Sequence, residues 1–352
     1  MEKKAVLSVR DLKVKFRVRG KILTAIRGVS LDIYEGESIA IVGESGSGKS
    51  VLTKTFAGML DFNGFVGEGN ILFQDGDDFV DLTALRRAKD WSQIRGSKIA
   101  TVFQDPMTSL NPILPIGKQI AAVILKHQNC SEAEARTRAL TLMDKVGIPN
   151  PQSRYNDYPF QYSGGMRQRI VIAIALSCQP KVLICDEPTT ALDVTIQAQI
   201  LSLLKQLQKE YGFTIVFITH DLGVVANIAD RVAVMYAGQL VELGTAEDIF
   251  YDPRHPYTWA LLSSLPQLAQ SGTNLYSIAG TPPSLYQEIT GDPFAPRNPW
   301  CLKIDTLMEP PIFRISDTHF AKTWLLDPRA PKVEKPEMIQ NIHEKLLRSF
   351  HL

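Results

Sequence analysis

The 352-residue chain has few cysteines, no long hydrophobic run and no excess of charge of either sign. Its four cysteines form no Cys-x-x-Cys pair and no zinc spacing, so neither a zinc site nor a disulfide framework is expected. The longest strongly apolar run, Ile170 to Leu176, is far shorter than the roughly 20 residues of a membrane-spanning helix. Lys and Arg total 38 against 37 Asp and Glu, so the chain has no basic excess. This balance argues against a protein whose main function is to bind nucleic acid.

The rest of the composition is that of an ordinary globular protein. Hydrophobic residues make up 45% and charged residues 21% of the chain, which excludes a disordered or collagen-like sequence. The start of the chain, Met1 to Arg10, is charged and lacks the apolar run of a signal peptide. We therefore expect a soluble, cytoplasmic chain in a reducing compartment, with about two domains or one large domain and an appendage.

Short apolar runs alternate with helical patterns through much of the chain. Ser38 to Val42 is typical of a strand buried on both faces, and a helix is expected from Lys49 to about Leu60. Another helix is expected between a cap at Asp193 and a stop at Gly212. This alternation predicts a mainly parallel, doubly wound α/β core. The expected strands cover residues 5–9, 14–18, 38–42, 182–185 and 214–218.

Two segments depart from that alternation. Residues 105–165 look helical, with a capping box at Ser131 and Glu134 and a stop at Gly147. Prolines become frequent from about residue 252, which indicates an irregular extension with few long elements. The predicted division is an α/β core over residues 1–104 and 166–251, an inserted helical subdomain over 105–165, and a proline-rich C-terminal extension over 252–352.

A phosphate-binding motif follows the Ser38 to Val42 run. Residues 43–50 read Gly-Glu-Ser-Gly-Ser-Gly-Lys-Ser and match the pattern G-x-x-x-x-G-K-[ST]. Small residues let successive backbone N–H groups face a phosphate, and the helix that follows adds a favourable dipole. Lys49 would supply positive charge to the β- and γ-phosphates, and Ser50 would offer a hydroxyl to Mg²⁺. The residues expected to bind the nucleotide here are Gly43, Glu44, Ser45, Gly46, Ser47, Gly48, Lys49, Ser50 and Val51.

Two adjacent carboxylates end a second buried strand. Asp186 and Glu187 come directly after the apolar run Val182 to Cys185. Because ligands bind at the carboxyl ends of strands in open α/β sheets, we expect Asp186 to hold Mg²⁺ and Glu187 to act as general base toward the attacking water. Two acids at a strand end can also form a solvated turn, and it is the phosphate-binding motif that favours the catalytic interpretation.

Residues 162–168, Tyr-Ser-Gly-Gly-Met-Arg-Gln, lie between these two motifs. Taken alone, Ser-Gly-Gly fits an ordinary loop and helix start. Here the sequence resembles the ABC-type ATPase family, whose signature has the form Leu-Ser-Gly-Gly-Gln. Tyr162 replaces the leucine, and Met166 precedes a retained Arg-Gln, a form common in peptide importers of the family. The resemblance implies a head-to-tail dimer in which Ser163, Gly164 and Gly165 face the γ-phosphate bound by the other subunit.

Four more residues stand at positions that the resemblance assigns. Gln104, in Thr-Val-Phe-Gln-Asp-Pro, resembles the glutamine that senses the metal and water and couples to membrane subunits. Asp193 resembles the D-loop aspartate, although it fits a plain helix N-cap equally well. His220 resembles the switch histidine at the γ-phosphate, and Phe16 the aromatic that stacks on adenine. A structural histidine and an ordinary strand aromatic are the alternatives for these two.

The fold and ligands implied by the resemblance are specific. The fold would be a P-loop ABC ATPase core of class α/β, with an N-terminal antiparallel β subdomain, an inserted helical subdomain and a C-terminal extension. ATP and Mg²⁺ would be bound and ATP hydrolysed. The catalytic residues would be Lys49, Gln104, Glu187 and His220, and the metal ligands Ser50, Gln104 and Asp186.

Two further segments resemble the ATP-binding subunits of oligopeptide and dipeptide importers. They are residues 103–112, Phe-Gln-Asp-Pro-Met-Thr-Ser-Leu-Asn-Pro, and residues 251–258, Tyr-Asp-Pro-Arg-His-Pro-Tyr-Thr. This resemblance covers about residues 5–300 and implies ATP-driven import of oligopeptides, with the chain on the cytoplasmic face of the cell membrane. The implied partners are a second, homologous ATPase subunit in a heterodimer, two membrane permease subunits and an extracellular peptide-binding protein, with no nucleic acid.

Three other classes of function share part of these motifs. A dipeptide, nickel, glutathione or antimicrobial-peptide importer fits the same motifs. A soluble ABC ATPase acting on DNA or ribosomes usually carries a long coiled coil, zinc-binding cysteines or two cassettes, none of which this sequence displays. A plain P-loop kinase or GTPase would lack both the Ser-Gly-Gly segment and the histidine that follows the expected strand over residues 214–218.

One feature common among relatives is not expected here. In many relatives that carry an iron–sulfur cluster, the C-terminal extension resembles the pattern Cys-x-Phe-x-Pro-Arg-Cys. This chain keeps the frame as Asp-Pro-Phe-Ala-Pro-Arg-Asn, with Asp292 and Asn298 at the two cysteine positions. Cys301 is the only cysteine after Cys185, so four thiolate ligands cannot be assembled from this region. We therefore predict a protein without an iron–sulfur cluster.

Overall fold

Two β-sheets organise the protein. The computed structural model describes residues 4–190, 192–265, 278–287, 289–340 and 342, and within them lie a four-stranded and an eight-stranded sheet. The strands are β1 (Ala5–Val18), β2 (Lys21–Tyr34), β3 (Ser38–Val42), β4 (Gly64–Asp75), β5 (Asp78–Asp81), β6 (Ile99–Val102), β7 (Val182–Asp186), β8 (Thr214–Thr219), β9 (Arg231–Tyr236), β10 (Gln239–Thr245), β11 (Phe313–Arg314) and β12 (Phe320–Ala321).

The smaller sheet is the N-terminal antiparallel subdomain, in the order β2-β1-β4-β5. The prediction of two separate strands over 5–9 and 14–18 was wrong, because β1 runs through both. Its pairing with β2 shifts register between Val9 and Lys13, and Asp11 there has a left-handed φ of 44°. The extra residues form a bulge that lets one strand continue across the polar stretch.

The larger sheet has the order β11-β12-β10-β9-β3-β8-β7-β6. Strands β9, β3, β8, β7 and β6 are parallel, which confirms the predicted α/β core. Every residue of β3 is buried, since helices cover one face and the smaller sheet packs on the other. Strands β7 and β8 each extend one residue beyond the prediction, to Asp186 and Thr219.

Helix ends follow local capping chemistry. Asp193 caps α8 by accepting the N–H of Ile196, and the helix ends before a left-handed Gly212, as predicted. Helix α1 ends earlier than predicted, since the chain turns at a left-handed Gly58. The helices are α1 (Lys49–Phe56), α2 (Ala88–Ser92), α3 (Pro106–Ser109), α4 (Ile116–His127), α5 (Glu132–Lys145), α6 (Pro151–Arg154), α7 (Gly164–Leu176), α8 (Val194–Tyr211), α9 (Leu222–Ile228), α10 (Ala246–Tyr251) and α11 (Pro256–Ser263).

Helices α3 to α6 occupy the predicted insertion. The capping box at the start of α5 is present: Glu134 donates its N–H to the Ser131 hydroxyl and accepts the Ser131 N–H on its carboxylate. A left-handed Gly147 follows the helix, as predicted. Apolar side chains of α4 and α5 pack against α7, so the insertion shares one hydrophobic core with the signature helix.

The described part of the C-terminal extension is mostly irregular but packs tightly on the core. Tyr257, Phe294 and Trp259 are buried in a cluster that includes residues of β9 and β10. Strand β12 pairs with β10, so the extension also lengthens the larger sheet. Strands β11 and β12 were not predicted from the sequence, because each has only two residues.

Candidate functional site

The loop between β3 and α1 has the backbone that its glycines permit. Gly43, Gly46 and Gly48 have φ values of 149°, 79° and 105°. A Cβ on Gly43 would lie 2.2 Å from the Met235 carbonyl oxygen, and one on Gly48 would lie 2.9 Å from Ile26 Cδ1. Larger residues at these two positions would therefore displace the loop from β9 and β2.

Lys49 is the first residue of α1 and is 6% exposed. Its Nζ donates to the carbonyl oxygens of Gly43 at 2.7 Å and Glu44 at 2.9 Å, so the ammonium lies across the loop. Burial lowers the pKa of Lys49, while the carboxylates of Glu187 and Asp186 act in the opposite direction. The Lys49 ammonium therefore lies next to two carboxylates in a site that is partly shielded from solvent.

Ser50 and Asp186, the two residues expected to hold Mg²⁺ beside the loop, contact each other. Ser50 Oγ donates to Asp186 Oδ1 at 3.0 Å, which joins the start of α1 to the end of β7. Burial raises the pKa of Asp186, and the hydrogen bond from Ser50 opposes that shift. A hydroxyl and a carboxylate oxygen are hard donors of the kind that Mg²⁺ prefers, so this pair fits the predicted metal ligands.

Glu187 receives three side-chain contacts. Gln104 Nε2 donates to Oε2 at 3.1 Å, Thr190 Oγ1 donates to Oε2 at 3.3 Å, and His220 Nδ1 lies 3.1 Å from Oε1. Glu187 itself has a left-handed φ of 47°, an uncommon conformation for a residue with a side chain. The backbone turn and the three contacts aim the carboxylate toward the cavity beside the phosphate-binding loop.

A cavity of about 520 Å³ brings most of the predicted residues together. One part of its wall is apolar and includes Phe16, whose ring contacts Gly64. Gly43, Glu44 and Ser47 form the back of the loop and do not line the cavity. The lining residues are Phe16, Val18, Leu23, Ala25, Ser45, Gly46, Gly48, Lys49, Ser50, Val51, Gln104, Asp186, Glu187 and Leu285.

The signature residues lie outside this cavity. Ser163 is exposed and caps α7 by accepting the Met166 N–H at 3.3 Å, and Gly164 beside it is also exposed. Gly165 packs against α8, where a Cβ would lie 2.8 Å from Ile196 Cγ2. The structure therefore does not bring the signature to the phosphate-binding loop of the same chain.

Comparison with known proteins agrees with these motifs. A family described as ABC transporter matches residues 26–190, and one described as oligopeptide/dipeptide transporter, C-terminal region, matches residues 241–304. The oligopeptide transport ATP-binding protein AmiE of Streptococcus pneumoniae is 65% identical over 98% of this chain and 96% of its own. OppD of Bacillus subtilis is 54% identical over 98% and 96%. The chain belongs to this family of ABC transporter ATP-binding proteins.

The solved structures agree. A dimeric ATP-binding cassette in a post-hydrolysis state, bound to ADP and Pi, is 29% identical, with a TM-score of 0.60 over 68% of this chain and 98% of that one. The predicted resemblance to ABC-type ATPases and the predicted fold class are confirmed, and the chain is an ABC-type ATPase. Among the described residues of this ATPase, no helix is both long and apolar enough to cross a membrane.

Several residues of the candidate site were not predicted from the sequence, among them the apolar lining residues Val18, Leu23 and Ala25. Thr190 contacts Glu187, and the only available signal was its position just after the two acids. Leu285 lines the cavity, and Arg297 forms an ion pair with Glu44 of the loop. The last two belong to the extension, far away in sequence, and no local pattern connects them with a nucleotide.

Proposed function

We propose that this ATPase powers the import of oligopeptides through a membrane transporter. The chain would bind two permease subunits on the cytoplasmic face of the membrane, and an extracellular protein would deliver the peptide. The names of the close relatives and the matching C-terminal region support this assignment. A transporter that carried only dipeptides would be the alternative within the same family.

ATP would occupy the cavity between the phosphate-binding loop and β1. The N–H groups of the loop and Lys49 would hold the phosphates, and the aromatic ring of Phe16 would stack on the adenine. Ser50, Asp186 and Gln104 would hold Mg²⁺, which would neutralise charge on the phosphates. Support for the metal ligands comes from the 3.0 Å contact between the Ser50 hydroxyl and the Asp186 carboxylate.

Hydrolysis would depend on Glu187 as general base. The observation that carries the proposal is the set of side chains that orient its carboxylate: Gln104, Thr190 and His220. The base would accept a proton from the attacking water, and His220 would contact the γ-phosphate. Lys49 remains close enough to compensate the negative charge of both acids.

The signature would act on a neighbouring subunit. Ser163 and Gly164 are exposed at the start of α7, where free N–H groups and the helix dipole favour an incoming phosphate. We propose a head-to-tail heterodimer with a second, homologous ATPase, in which each nucleotide lies between the loop of one subunit and the signature of the other.

Replacement of Glu187 tests the catalytic assignment. Glu187→Gln keeps the shape of the side chain but removes the basic carboxylate, so ATP hydrolysis should fall about 100-fold or more. ATP binding should persist because Lys49 and Asp186 stay in place, and ATP should trap the closed dimer. Phosphate release, nucleotide affinity and size-exclusion chromatography of the co-expressed transporter measure the three effects.

The matched control is Glu210→Gln, which removes a carboxylate from the surface of α8. It should leave hydrolysis unchanged. Near wild-type hydrolysis by the Glu187→Gln protein would show that Glu187 is not the general base.

A further inference from the structure

Glu44, the second residue of the phosphate-binding loop, contacts the C-terminal extension. Its carboxylate accepts two hydrogen bonds from Arg297, Nη1 to Oε2 at 2.6 Å and Nη2 to Oε1 at 3.0 Å. Its main-chain N–H donates to the Tyr257 hydroxyl at 2.8 Å. Its carbonyl oxygen accepts from Lys49 Nζ at 2.9 Å. The side chain, the amide and the carbonyl of one residue are therefore all held.

Arg297 is rigidly built into the extension. Its side chain is 3% exposed, and Nε donates to the carbonyl oxygen of Ala279 at 2.9 Å. Nη1 also donates to the Tyr236 hydroxyl at 3.2 Å, and the Tyr236 and Tyr257 rings pack with centroids 4.6 Å apart. A planar guanidinium held in this way presents a fixed fork to a carboxylate.

We propose that Arg297 and Tyr257 are positioning residues for ATP binding. They hold Glu44, and with it the first half of the loop and the carbonyl against which Lys49 lies. A glycine-rich loop loses much conformational freedom when its N–H groups converge on phosphate, and a loop ordered in advance avoids that loss at the moment of binding. The extension thereby raises the affinity of the core for nucleotide.

The position of Glu44 fixes which kinetic constant should change. Glu44 does not line the cavity, and its carbonyl oxygen contacts Lys49, which would hold the phosphates. The clamp should therefore act chiefly on nucleotide binding and less on the chemical step. This inference rests on the proposed ATP site. We define the clamp as Glu44, Tyr257 and Arg297.

The test measures the affinity of the full-length chain for a fluorescent ATP analogue. Arg297→Ala and Glu44→Gln should each weaken binding about tenfold, and Tyr257→Phe about threefold. Arg297→Lys keeps the charge but not the fork and should fall between wild type and Arg297→Ala. In the co-expressed transporter, KM for ATP should rise by similar factors while kcat at saturating ATP changes less than twofold.

A double-variant cycle separates positioning from a general loosening of the extension. If Arg297 acts through Glu44, Arg297→Ala should add little to the loss already caused by Glu44→Gln. The matched control is Arg329→Ala, which breaks an exposed ion pair with Asp327 in the same extension and should leave ATP affinity unchanged. If Arg297→Ala does not fold, Glu44→Gln and Tyr257→Phe decide, since both leave the other hydrogen bonds of Arg297 in place.

Lys49→Ala distinguishes failure of the clamp from failure of the ATP site. Weak binding by Lys49→Ala together with affinities within twofold of wild type for both Arg297→Ala and Glu44→Gln would overturn the clamp. Fully additive losses in the double variant would also overturn it. Unchanged binding by Lys49→Ala would instead contradict the proposed ATP site.

Discussion

Asp292 illustrates how burial alone changes the chemistry of a single residue. The side chain is 4% exposed, and burial raises its pKa to about 7, with the Asp305 carboxyl adding to the shift and Lys322 opposing it. Oδ1 accepts the N–H of Phe294 at 2.9 Å, while Oδ2 has no hydrogen-bond partner among the described residues. The folded protein therefore favours the neutral acid, whereas the unfolded chain ionises near the ordinary pKa of aspartate.

This difference in pKa predicts that Asp292→Asn raises the free energy of unfolding by an amount that depends on pH. Below about pH 4, the ordinary pKa of aspartate in the unfolded chain, Asp292 is neutral in both states and its contribution to stability is fully present. As the pH rises from about 4 to about 7, the unfolded chain ionises more readily than the folded protein, so this contribution to the free energy of unfolding is lost. The amide keeps the acceptor for Phe294 and never ionises. The variant's advantage in unfolding free energy over wild type should therefore grow by roughly 2 kcal/mol from pH 5 to pH 8.

Denaturant unfolding at the two pH values measures that gain. Asp77→Asn, at an exposed turn, is the control and should show no such growth. An equal advantage for Asp292→Asn at pH 5 and pH 8 would mean that ionisation of Asp292 does not destabilise the fold.

Individual residues around the phosphate-binding loop were the most predictable part of the candidate site. Lys49 and Ser50 belong to one short motif, and Asp186 and Glu187 end an apolar strand, so local pattern was sufficient to place them at the same sheet edge. The contact of Glu187 with Thr190 depends on a left-handed turn at Glu187 itself. No residue pattern near the two acids indicated that turn.

At the level of secondary-structure elements, the two adjacent glycines at the start of α7 differ in how closely they pack against their neighbours. A Cβ on Gly165 would lie 2.8 Å from Ile196 Cγ2, so this glycine permits close packing of α7 on α8. A Cβ on Gly164 would lie 3.8 Å from Leu192 Cδ2, an ordinary contact distance. Steric need within the fold therefore explains Gly165 but not Gly164.

The two glycines should respond oppositely to alanine. Gly165→Ala should lower the free energy of unfolding by about 1–3 kcal/mol because Ile196 must move. Gly164→Ala should fold as well as wild type, since alanine favours a helix. It should nevertheless slow hydrolysis in the assembled transporter, because in the proposed dimer the exposed helix start would face the partner's nucleotide. Thermal unfolding and phosphate release measure the pair, and normal hydrolysis by folded Gly164→Ala would contradict the role of the signature.

Whole elements were predictable where their signals are local. The capping box of α5 and the caps of α8 appear in the sequence and in the structure at the same residues. Strand β1 was divided in the prediction because Arg10 and Asp11 interrupt the apolar alternation, and pairing with β2 and β4 on both sides overrides that interruption. Tertiary pairing of this kind is not contained in a single strand's pattern.

At the scale of the whole molecule, the extension was the least predictable part. Its contacts with the core join residues distant in the chain, such as Arg297 and Glu44, or Phe320 in β12 and Leu243 in β10. Proline and loop signals describe where such a segment is irregular, but they do not determine what it packs against. The clamp on the phosphate-binding loop therefore became visible only in three dimensions.

The proposed division of the site between two subunits predicts a weak ATPase when this chain is alone. Its cavity contains the loop, both acids and Gln104, whereas the signature helix starts on the exposed surface outside that cavity. A lone chain would thus contribute only one half of each site of the proposed dimer. Co-expression with the proposed homologous ATPase and the permease subunits should raise phosphate release per chain at least tenfold, because the partner would supply Ser-Gly-Gly N–H groups to the γ-phosphate.

Variants in the same co-expressed transporter would identify which half site each subunit supplies. In the co-expressed transporter, Glu187→Gln and Ser163→Ala lie in different composite sites if the dimer is heteromeric, so their effects should combine and not mask each other. Equal specific activity of the chain alone and in the complex would instead mean that two copies of this chain complete both sites. That result would contradict the heterodimer while leaving Glu187 as the base in each site.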